Sequence, residues 1–484
     1  MIGDIKYIIK DLFIYYHLKG EIKMSIISTY VVPHPPLIIP KIGRGQEIKI
    51  EKTIKAYNEI AKKIAEIKPD TIVITTPHSI MYSDYIHISP GKSTKGDFKD
   101  FGEPDVKFEV NYDTEFIEVL SSLAEEKDIP AGVLGEKKKT LDHGTMIPLY
   151  FINKYFKDYK IVRIAISGLS YIEHYNFGKC LSKASEELGK KIVVVASGDL
   201  SHTLKDEGPY GYTEEGPLFD KEITEAFKSG NFLKFLNFDE DFCEIAGECG
   251  LRSFVIMAGA LDGKDIKPEL LSYEGPFGVG YAVASYEVIG ENEQRHFDKI
   301  FNKKEDERLK SLLVNEDEYV SLARKTLESF ILNNKKIEKP NNLPKEMLQQ
   351  RAGVFVSLKM NGQLRGCIGT ISPTTDSIAE EIVQNAISSG LEDPRFNPVS
   401  KKELSKLEYS VDVLGDAEPI SSLEELDPKR YGVIVSLGKR RGLLLPNLEG
   451  INTAKEQVDI ALKKAGISIN EKYNMERFEV IRHK

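Results

Sequence analysis

The segment Val193-Val194-Val195-Ala196-Ser197-Gly198-Asp199-Leu200-Ser201-His202 is the strongest indication of fold in this sequence. It opens with four apolar residues, and a short apolar run is typical of a strand buried on both faces of a parallel sheet. Gly198 ends that run, and the polar residues Asp199, Ser201 and His202 follow. The sequence therefore predicts a buried strand with polar side chains just past its carboxyl end.

Two other predicted strands end in the same way. Residues 27–32 lead into Pro33-His34-Pro35-Pro36, and residues 71–76 lead into Pro77-His78-Ser79. In an open parallel sheet, ligands bind outside the carboxyl ends of the strands. A single histidine there is usually a turn or core residue, but His34, His78 and His202 share one topological position. We therefore expect one converging site.

The wider pattern predicts two domains, because 484 residues are too many for a single hydrophobic core. A helical apolar period over residues 51–68, between two strands, indicates a βαβ unit with a right-handed crossover. The first domain is therefore predicted to be α/β with a mostly parallel sheet, and the second to be smaller and α+β. The predicted parts are a non-native extension or amphipathic arm at 1–23, the α/β domain at 24–290, a charged linker at 291–311 and the α+β domain at 312–484.

The composition narrows the classes of function. The net charge of −9 makes a nucleic-acid partner unexpected, and no apolar run is long enough to predict a membrane span. The chain has four cysteines, with no CxxC pair and no zinc-finger spacing. Free thiols of this kind are typical of a reducing cytoplasm, which is the predicted location.

His34 and His78 are the candidate nitrogen ligands of a metal ion. Two histidines and one carboxylate, with open positions, form the ligand set of non-haem Fe(II) oxygenases. Glu248 is the candidate carboxylate because it precedes a predicted apolar helix at 249–261. Alternatively, Glu248 is an ordinary acidic residue that the helix dipole favours at the start of a helix. Zinc is an alternative metal, either with these ligands or with the thiolate of Cys249 in place of Glu248.

His143 and His202 are candidate acid–base groups beside that metal. Both lie in turns that contain Asp, Ser or Gly, where a neighbouring side chain can select the imidazole tautomer. Asp142 and Asp199 are the candidate orienting residues, and a turn or capping role is the alternative for each.

Four motifs together resemble the class III extradiol ring-cleavage dioxygenases, the LigB-like superfamily, over about residues 25–290. These are His34-Pro35-Pro36, Pro77-His78-Ser79, Asp142-His143-Gly144-Thr145 and Gly198-Asp199-Leu200-Ser201-His202. The resemblance implies Fe(II) held by His34, His78 and Glu248. It implies His202 as the acid–base residue and His143 as a contact of the substrate or of oxygen. The implied reaction uses O2 to cut a catechol-type ring beside its diol.

The same superfamily contains the Memo proteins, in which a cysteine falls near the third ligand position. Glu248 and Cys249 are adjacent in this chain. A thiolate from Cys249 would shift the metal preference toward Cu(I) or Zn. The alternative function is therefore a Memo-like metal-binding or redox factor without dioxygenase activity.

The second domain carries Leu364-Arg365-Gly366-Cys367-Ile368-Gly369, which resembles the signature hexapeptide of the AMMECR family over about residues 312–484. Glu392-Asp393-Pro394-Arg395-Phe396 and Arg441-Gly442-Leu443-Leu444-Leu445-Pro446 support the resemblance. Arg365 and Cys367 alternate along a predicted strand and should face the same way. An arginine beside a thiol favours the thiolate, so Cys367 is a candidate nucleophile. The alternative is a small buried thiol with Arg365 in a structural ion pair.

The fusion of the two domains resembles the bacterial and archaeal AmmeMemoRadiSam arrangement. That resemblance implies a radical-SAM partner protein. The chain itself has no CxxxCxxC motif, so it is not that partner. A third class of function is a scaffold whose AMMECR domain binds protein or nucleotide.

Overall fold

The computed structural model describes residues 26–137, 140–340, 342–448 and 450–484. The predicted extension at 1–23 lies outside these residues. The chain divides into two compact units, Met1–Phe301 and Asn302–Lys484, and the division falls within the predicted linker. Within the described part of the chain, every helix is too short or too polar to cross a lipid bilayer.

A six-stranded sheet forms the centre of the first unit. Its strands are β1 (Ile26–Val32), β2 (Thr71–Thr76), β3 (Lys160–Ala165), β4 (Ile192–Ser197), β5 (Lys264–Glu274) and β6 (Tyr281–Glu291). Their spatial order is β3-β2-β4-β1-β6-β5. The first four run parallel, and β6 and β5 continue the sheet antiparallel. The prediction of an α/β domain with a mostly parallel sheet is confirmed.

The register of the sheet places the predicted histidines next to each other. Val32 of β1 pairs with Ser197 of β4, and Thr75 of β2 pairs with Ala196 of β4. The carboxyl ends of β1, β4 and β2 therefore lie side by side. β4 occupies the middle position, and all six of its residues are buried.

Helices and two small strand pairs surround this sheet. The helices are α1 (Pro40–Gly43), α2 (Glu51–Ile67), α3 (Thr114–Glu126), α4 (His143–Ile152), α5 (Tyr171–Leu188), α6 (Glu215–Ser229), α7 (Leu233–Leu236), α8 (Glu240–Ala246), α9 (Leu251–Ala260) and α10 (Phe297–Asn315). Between β2 and α4 the chain forms the antiparallel pair Ser93–Phe98 and Glu103–Asn111 and the short parallel pair Ile86–His87 and Ala131–Gly132. The predicted linker is largely helical, because α10 runs through it.

Two glycines allow α5 and α9 to pack in close contact. A Cβ added at Gly259 would overlap the carbonyl oxygen of Tyr175, and a Cβ at Gly178 would overlap the carbonyl oxygen of Ile256. Both helices therefore approach backbone to backbone. This contact fixes α9 and the turn before it, Gly247-Glu248-Cys249-Gly250, relative to the sheet.

The second unit combines helices with two antiparallel four-stranded sheets. Its helices are α11 (Glu318–Asn333), α12 (Lys345–Gln349), α13 (Ile378–Leu391) and α14 (Ala454–Ala465). Its strands are β7 (Val354–Met360), β8 (Gln363–Gly369), β9 (Leu407–Leu414), β10 (Glu418–Ile420), β11 (Gly432–Leu437), β12 (Arg440–Leu444), β13 (Asn474–Phe478) and β14 (Val480–His483). The orders are β8-β7-β9-β14 and β10-β13-β11-β12. The predicted α+β class is confirmed.

The hairpin between β7 and β8 shows how local sequence determines part of this unit. Asn361 and Gly362 connect the strands with φ values of 53° and 82°. A two-residue turn with positive φ at both positions matches the right-handed twist of the strands, and Asn-Gly is its preferred sequence.

Candidate metal centre

His34, His78 and Cys249 meet at the carboxyl edge of the sheet. One ligand atom from each lies within 4.8 Å of the other two. Nε2 of His34 is 2.9 Å from Nε2 of His78 and 3.6 Å from Sγ of Cys249. His34 is buried, and the other two residues are half-buried. The structure thus assembles a donor set of two imidazole nitrogens and one sulfur, called the bis-histidine–cysteine set below.

Ser197 selects the tautomer of His34. Its hydroxyl donates to the carbonyl oxygen of Gly144 at 2.6 Å and lies 3.0 Å from Nδ1 of His34. A hydroxyl has one proton, so Ser197 must accept from an Nδ1–H of His34. In the neutral imidazole this leaves the Nε2 lone pair free, directed at His78 and Cys249.

The close contact of the two imidazoles calls for a proton or a metal ion between their ring nitrogens. Burial, followed by the charge of His78, holds the pKa of His34 well below its usual value. The ring is therefore neutral, and its 4.0 Å contact with Oδ2 of Asp199 is not an ion pair. Two ring nitrogens at 2.9 Å need a proton or a metal ion between them, because two lone pairs repel. The residues present fit a metal ion.

Cys249 lies where the turn before α9 meets the turn after β4. Sγ of Cys249 accepts a hydrogen bond from the backbone N–H of Asp199 at 3.3 Å. Burial raises the pKa of the thiol well above its usual value, and the charges of Asp199 and Glu248 add to this. A metal ion would displace the thiol proton, because metal binding and deprotonation are coupled. A Cβ at Gly198 would overlap the Cα of Gly250, so the two turns approach closely.

The side chain of Glu248, unlike that of Cys249, does not belong to the bis-histidine–cysteine set. Its Oε2 accepts a hydrogen bond from the backbone N–H of Leu251 at 2.6 Å, in the first turn of α9. Burial raises the pKa of this carboxyl, while the Leu251 amide opposes the rise. The structure therefore brings Cys249, and not Glu248, together with the two histidines, and Glu248 satisfies a backbone donor at the start of a helix.

His143 lies against the pair of histidines as the first residue of α4. Its ring centroid is 4.0 Å from that of His78 and 5.4 Å from that of His34. The ring of Phe101 approaches from another side at 5.5 Å. His143 is half-buried, so it lines the site without belonging to the bis-histidine–cysteine set.

Asp142 holds the start of α4 in place. Its carboxylate accepts from the backbone N–H of Thr145 at 3.0 Å and from the hydroxyl of Thr76 at 2.7 Å. The fully buried Arg163 forms an ion pair with it at 3.4 Å. Burial alone would raise the pKa of Asp142, but Arg163 and the hydrogen bonds lower it below its usual value. Asp142 is thus a helix cap that positions His143.

Asp199 and His202 complete the turn after β4. Oδ1 of Asp199 accepts from the backbone N–H of His34 at 2.8 Å, and burial raises the pKa of Asp199 to about 6. His202 is half-buried, and its Nε2 has no hydrogen-bond partner among the described residues. Burial lowers the pKa of His202, and the exposed Tyr210 packs on its ring at 5.1 Å. His202 is therefore neutral and available to a ligand.

Comparison with known proteins identifies the families of the two domains. Residues 28–284 match the LigB model, described as the catalytic LigB subunit of aromatic ring-opening dioxygenase. This match spans more than half of the chain. The chain belongs to the LigB family. Residues 320–483 match the AMMECR1 model, so this LigB-family protein also carries an AMMECR1 domain.

The relatives match this chain over nearly all or over part of its length. "Protein CA_C1420" of Clostridium acetobutylicum is 48% identical over 469 residues, which cover 95% of this chain and all of that protein. A protein of Thermotoga maritima is 47% identical over 174 residues, which cover 36% of this chain and all of that protein. A solved structure of an uncharacterised protein from Pyrococcus horikoshii has 32% identity and a TM-score of 0.32, with 34% of this chain and 88% of that chain covered.

A second cluster in the LigB domain contains Asp262, His296 and Asp298. The ammonium of Lys179 forms ion pairs with both aspartates, and Nδ1 of His296 is 2.7 Å from Oδ2 of Asp262. The lysine already supplies the positive charge that a metal would bring. This cluster therefore acts as a structural ion-pair network.

In the AMMECR1 domain, Arg365 and Cys367 have separate environments. Arg365 lies at a β-bulge in β8 and donates from Nε to Oε1 of Glu403 at 2.7 Å. A bulge interrupts the alternation of side chains along a strand. Spacing alone therefore does not establish that Arg365 and Cys367 face the same way. Arg365 is engaged in an ion pair, and Cys367 is half-buried on the strand.

Sequence reasoning missed Ser197 and Arg163 in this LigB domain. Ser197 is the last residue of β4, directly before the glycine that ends the strand, and a hydroxyl at that position was the available signal. Arg163 gave a weaker signal, as one cation within the otherwise apolar interior of β3. Such a buried cation needs a buried anion, which here is Asp142.

Proposed function

We propose that the LigB domain binds one thiophilic metal ion at His34, His78 and Cys249, and that it works as a Memo-like metal-binding or redox factor. The support is the convergence of one thiol and two imidazole nitrogens within 4.8 Å. Imidazole and thiolate together suit Cu(I) and Zn better than a hard, oxygen-rich site would. The metal would supply Lewis acidity or electron transfer, and Ser197 and Asp199 would hold His34 in place.

The second candidate is an Fe(II)-dependent extradiol dioxygenase that acts on a catechol-type substrate with O2. The LigB family match favours it, as does the position of two histidines outside the bis-histidine–cysteine set. In this function Glu248 would be the third ligand. His143 would contact the substrate, and Nε2 of His202, which has no partner among the described residues, would hold or move a proton. A radical-SAM partner stays a prediction for either function.

The deciding experiment compares two neighbouring substitutions in the full chain. The protein is purified without oxygen, and its metal content is measured by elemental analysis. We expect about one Cu or Zn per chain, full loss of that metal in Cys249→Ser and retention in Glu248→Gln. His34→Ala and His78→Ala should also lose the metal, and Cys243→Ser, which replaces a buried cysteine outside the site, is the matched control.

The opposite result would favour the second candidate. If iron is found, lost with Glu248→Gln and retained with Cys249→Ser, the redox-factor proposal is wrong. Oxygen consumption with catechol would then measure ring cleavage. His202→Gln should abolish that turnover while the iron content stays unchanged.

A further inference from the structure

The strand β9 of the AMMECR1 domain has a neighbouring strand along only part of one edge. On one side, β7 pairs with it from Leu407 to Val413. On the other side, β14 pairs with it only from Val411 to Leu414. Residues 407–410, called the free edge below, therefore have no strand beside them on that side within the described part of the chain.

The backbone groups of the free edge have a defined direction. The N–H of Leu414 donates to the carbonyl oxygen of Gly353, on the β7 side, at 2.9 Å. Along an antiparallel strand, the N–H and C=O groups of successive residues point to opposite edges. Those of Ser410 are therefore directed at β7, and those of Tyr409 are directed away from it. Tyr409 thus offers one donor and one acceptor at the free edge.

A cavity of about 630 Å³ lies along the free edge, and all four residues of the free edge line it. The cavity also reaches Ser357 and Lys359 of β7. Because successive side chains of a strand point to opposite faces, a cavity over one face of β9 would be lined by every second residue. Its lining by four consecutive residues places the cavity at the edge, where an added strand would lie.

The cavity has apolar walls from two helices of the same compact unit. Leu309 and Leu313 belong to α10, and Val320 belongs to α11. The α10 residues Leu312, Leu313 and Val314 are consecutive, and their exposed fractions are 39%, 47% and 83%. A contiguous apolar surface left in water is typical of an interaction site.

The charged side chains around the cavity do not favour a ligand of one sign. The lining contains four acidic and four basic residues, which are Asp306, Glu316, Glu328 and Glu408, and Lys310, Arg324, Lys359 and Lys484. Both Glu316 and Glu328 form ion pairs with Arg324, and Glu408 forms one with Arg308. Recognition at this cavity therefore depends on backbone hydrogen bonds and apolar contacts more than on charge.

We propose that the free edge is a docking site for an extended peptide segment of a partner protein. The segment runs antiparallel to β9, and its backbone exchanges hydrogen bonds with Tyr409. Its alternate side chains are apolar and contact Leu309, Leu313 and Val320. In this mode of recognition, main-chain hydrogen bonds give affinity, and the pockets for alternate side chains give specificity.

Continuity with β14 identifies the occupant as a strand. β14 already pairs antiparallel with the same edge of β9, beginning at Val411, directly after the free edge. A helical segment could not pair with Tyr409, because the N–H and C=O groups of a helix bond within the helix. The site is independent of the proposed metal centre, whose ligands lie in the other compact unit.

A peptide-display selection on the full chain tests the chemistry of the occupant. The library contains random peptides, and peptides that also bind the Leu313→Lys chain are removed. We expect the enriched peptides to carry apolar residues at every second position, as strands do. Failure to enrich any peptide, or enrichment of apolar residues at helical spacing, would overturn the proposal.

Backbone methylation of an enriched peptide tests strand pairing itself. Two copies are synthesised, and each carries N-methyl groups on one of the two alternating sets of residues. Only one set of N–H groups can face β9. One copy should therefore bind at least about ten-fold more weakly than the parent peptide, and the other should stay within about two-fold. Equal effects of the two sets would mean that the peptide does not bind as a strand.

Paired substitutions test the location of the site by fluorescence anisotropy with the enriched peptide. Leu313→Lys places a charge on the apolar wall and should weaken binding at least about ten-fold. A lysine is favourable near the carboxyl end of a helix, so α10 should stay folded. Ile469→Lys is the matched control, because Ile469 is 59% exposed in the same domain and lies outside the cavity lining. It should change the affinity less than about two-fold.

Two further outcomes would overturn the proposal. One is an equal effect of Leu313→Lys and Ile469→Lys on the affinity for the peptide. The other concerns the oligomeric state, measured by sedimentation of the full chain. A dimer that Leu313→Lys dissociates would make a second copy of this chain the occupant, in place of a partner's peptide.

Discussion

At the level of single residues, the proposed metal centre depends on the state of one imidazole. The Nε2 lone pair of His34 is available only because Nδ1 carries the proton, and Ser197 accepts that proton's hydrogen bond. Hydrogen bonds to the second nitrogen of a ligating histidine orient the ring and increase its basicity. The hydroxyl of Ser197 is therefore expected to matter for metal affinity without touching the metal.

This argument predicts that Ser197→Ala weakens metal binding about 10- to 100-fold. The number of ions bound per chain at saturation should not change, because all three donors remain. Competition with a chelator of known affinity measures the change. Ser253→Ala is the control, since it removes another buried hydroxyl that has no hydrogen-bond partner among the described residues. Equal affinities of Ser197→Ala and the wild type would contradict the proposed tautomer.

Asp220 is a second residue whose state has a measurable consequence. It is buried, accepts from the Ser201 backbone N–H at 2.8 Å, and accepts from the Tyr273 hydroxyl at 2.7 Å. Burial raises the pKa of Asp220 to about 7, although both hydrogen bonds oppose the rise. The folded chain therefore keeps this proton at pH values where the unfolded chain loses it.

The sign of the pH effect follows from this raised pKa. The contribution of Asp220 to stability is greatest below about pH 4, decreases as the pH rises to about 7 and is constant above that. Asp220→Asn lacks this titration, so its stability relative to the wild type should increase between about pH 4 and about pH 7. The gain is bounded by about 4 kcal/mol, at about 1.4 kcal/mol per pKa unit. Parallel stability curves, measured by urea unfolding, would contradict it.

At the level of secondary-structure elements, the contact between α5 and α9 positions the turn that carries Cys249. The glycines at this crossing leave no room for a methyl group, because the backbone of the facing helix occupies the space. Displacing α9 would move Cys249 away from the histidines. Packing between two helices and ligand geometry are therefore coupled in this domain.

Gly259→Ala is therefore expected to destabilise the LigB domain by about 1–3 kcal/mol, the usual cost of overpacking. It should also reduce metal affinity, since α9 must shift. Thermal unfolding of the full chain measures the first effect, and a chelator competition measures the second. Gly290→Ala is the matched control, because a Cβ there meets only the side chain of Asp265 at 4.0 Å. Normal stability and affinity of Gly259→Ala would show that the helices can separate without cost.

For the molecule as a whole, the proposed metal centre belongs to one of the two compact units. The proposed metal ligands all lie in Met1–Phe301, and Arg365 and Cys367 lie in Asn302–Lys484. Phe297 and Phe301, at the start of α10, are buried in the core of the first unit. Ending the chain at residue 290 would expose that core, so the boundary for separation is 301.

Residues 24–301 expressed alone should therefore fold and bind the same metal at the same stoichiometry as the full chain. Residues 302–484 alone should fold as well, because they form a compact unit of their own. Circular dichroism measures the folding of both pieces, and elemental analysis measures the metal bound to the first. Loss of metal from the first piece would mean that the second unit completes the centre.

Local sequence was sufficient to predict the elements that have a strong local pattern. The buried strands β1, β2 and β4 were predicted from short apolar runs. Local sequence did not predict β5, an eleven-residue edge strand that contains Lys267 and Pro268 and has only two buried residues, Ile266 and Ser272. An edge strand needs only one hydrogen-bonded neighbour, so its sequence has a weak signal, and pairing with β6 decides it.

The sequence likewise predicted one part of the candidate site, and tertiary contacts decided the other part. The topological rule for parallel sheets placed His34, His78 and His202 at one edge from sequence alone. Long-range contacts were needed to decide which of two consecutive residues, Glu248 or Cys249, lies beside the histidines. Consecutive side chains leave the backbone in different directions, and the left-handed Gly247 together with the close approach of Gly198 to Gly250 sets those directions. That geometry depends on two turns far apart in the chain, which no local pattern encodes.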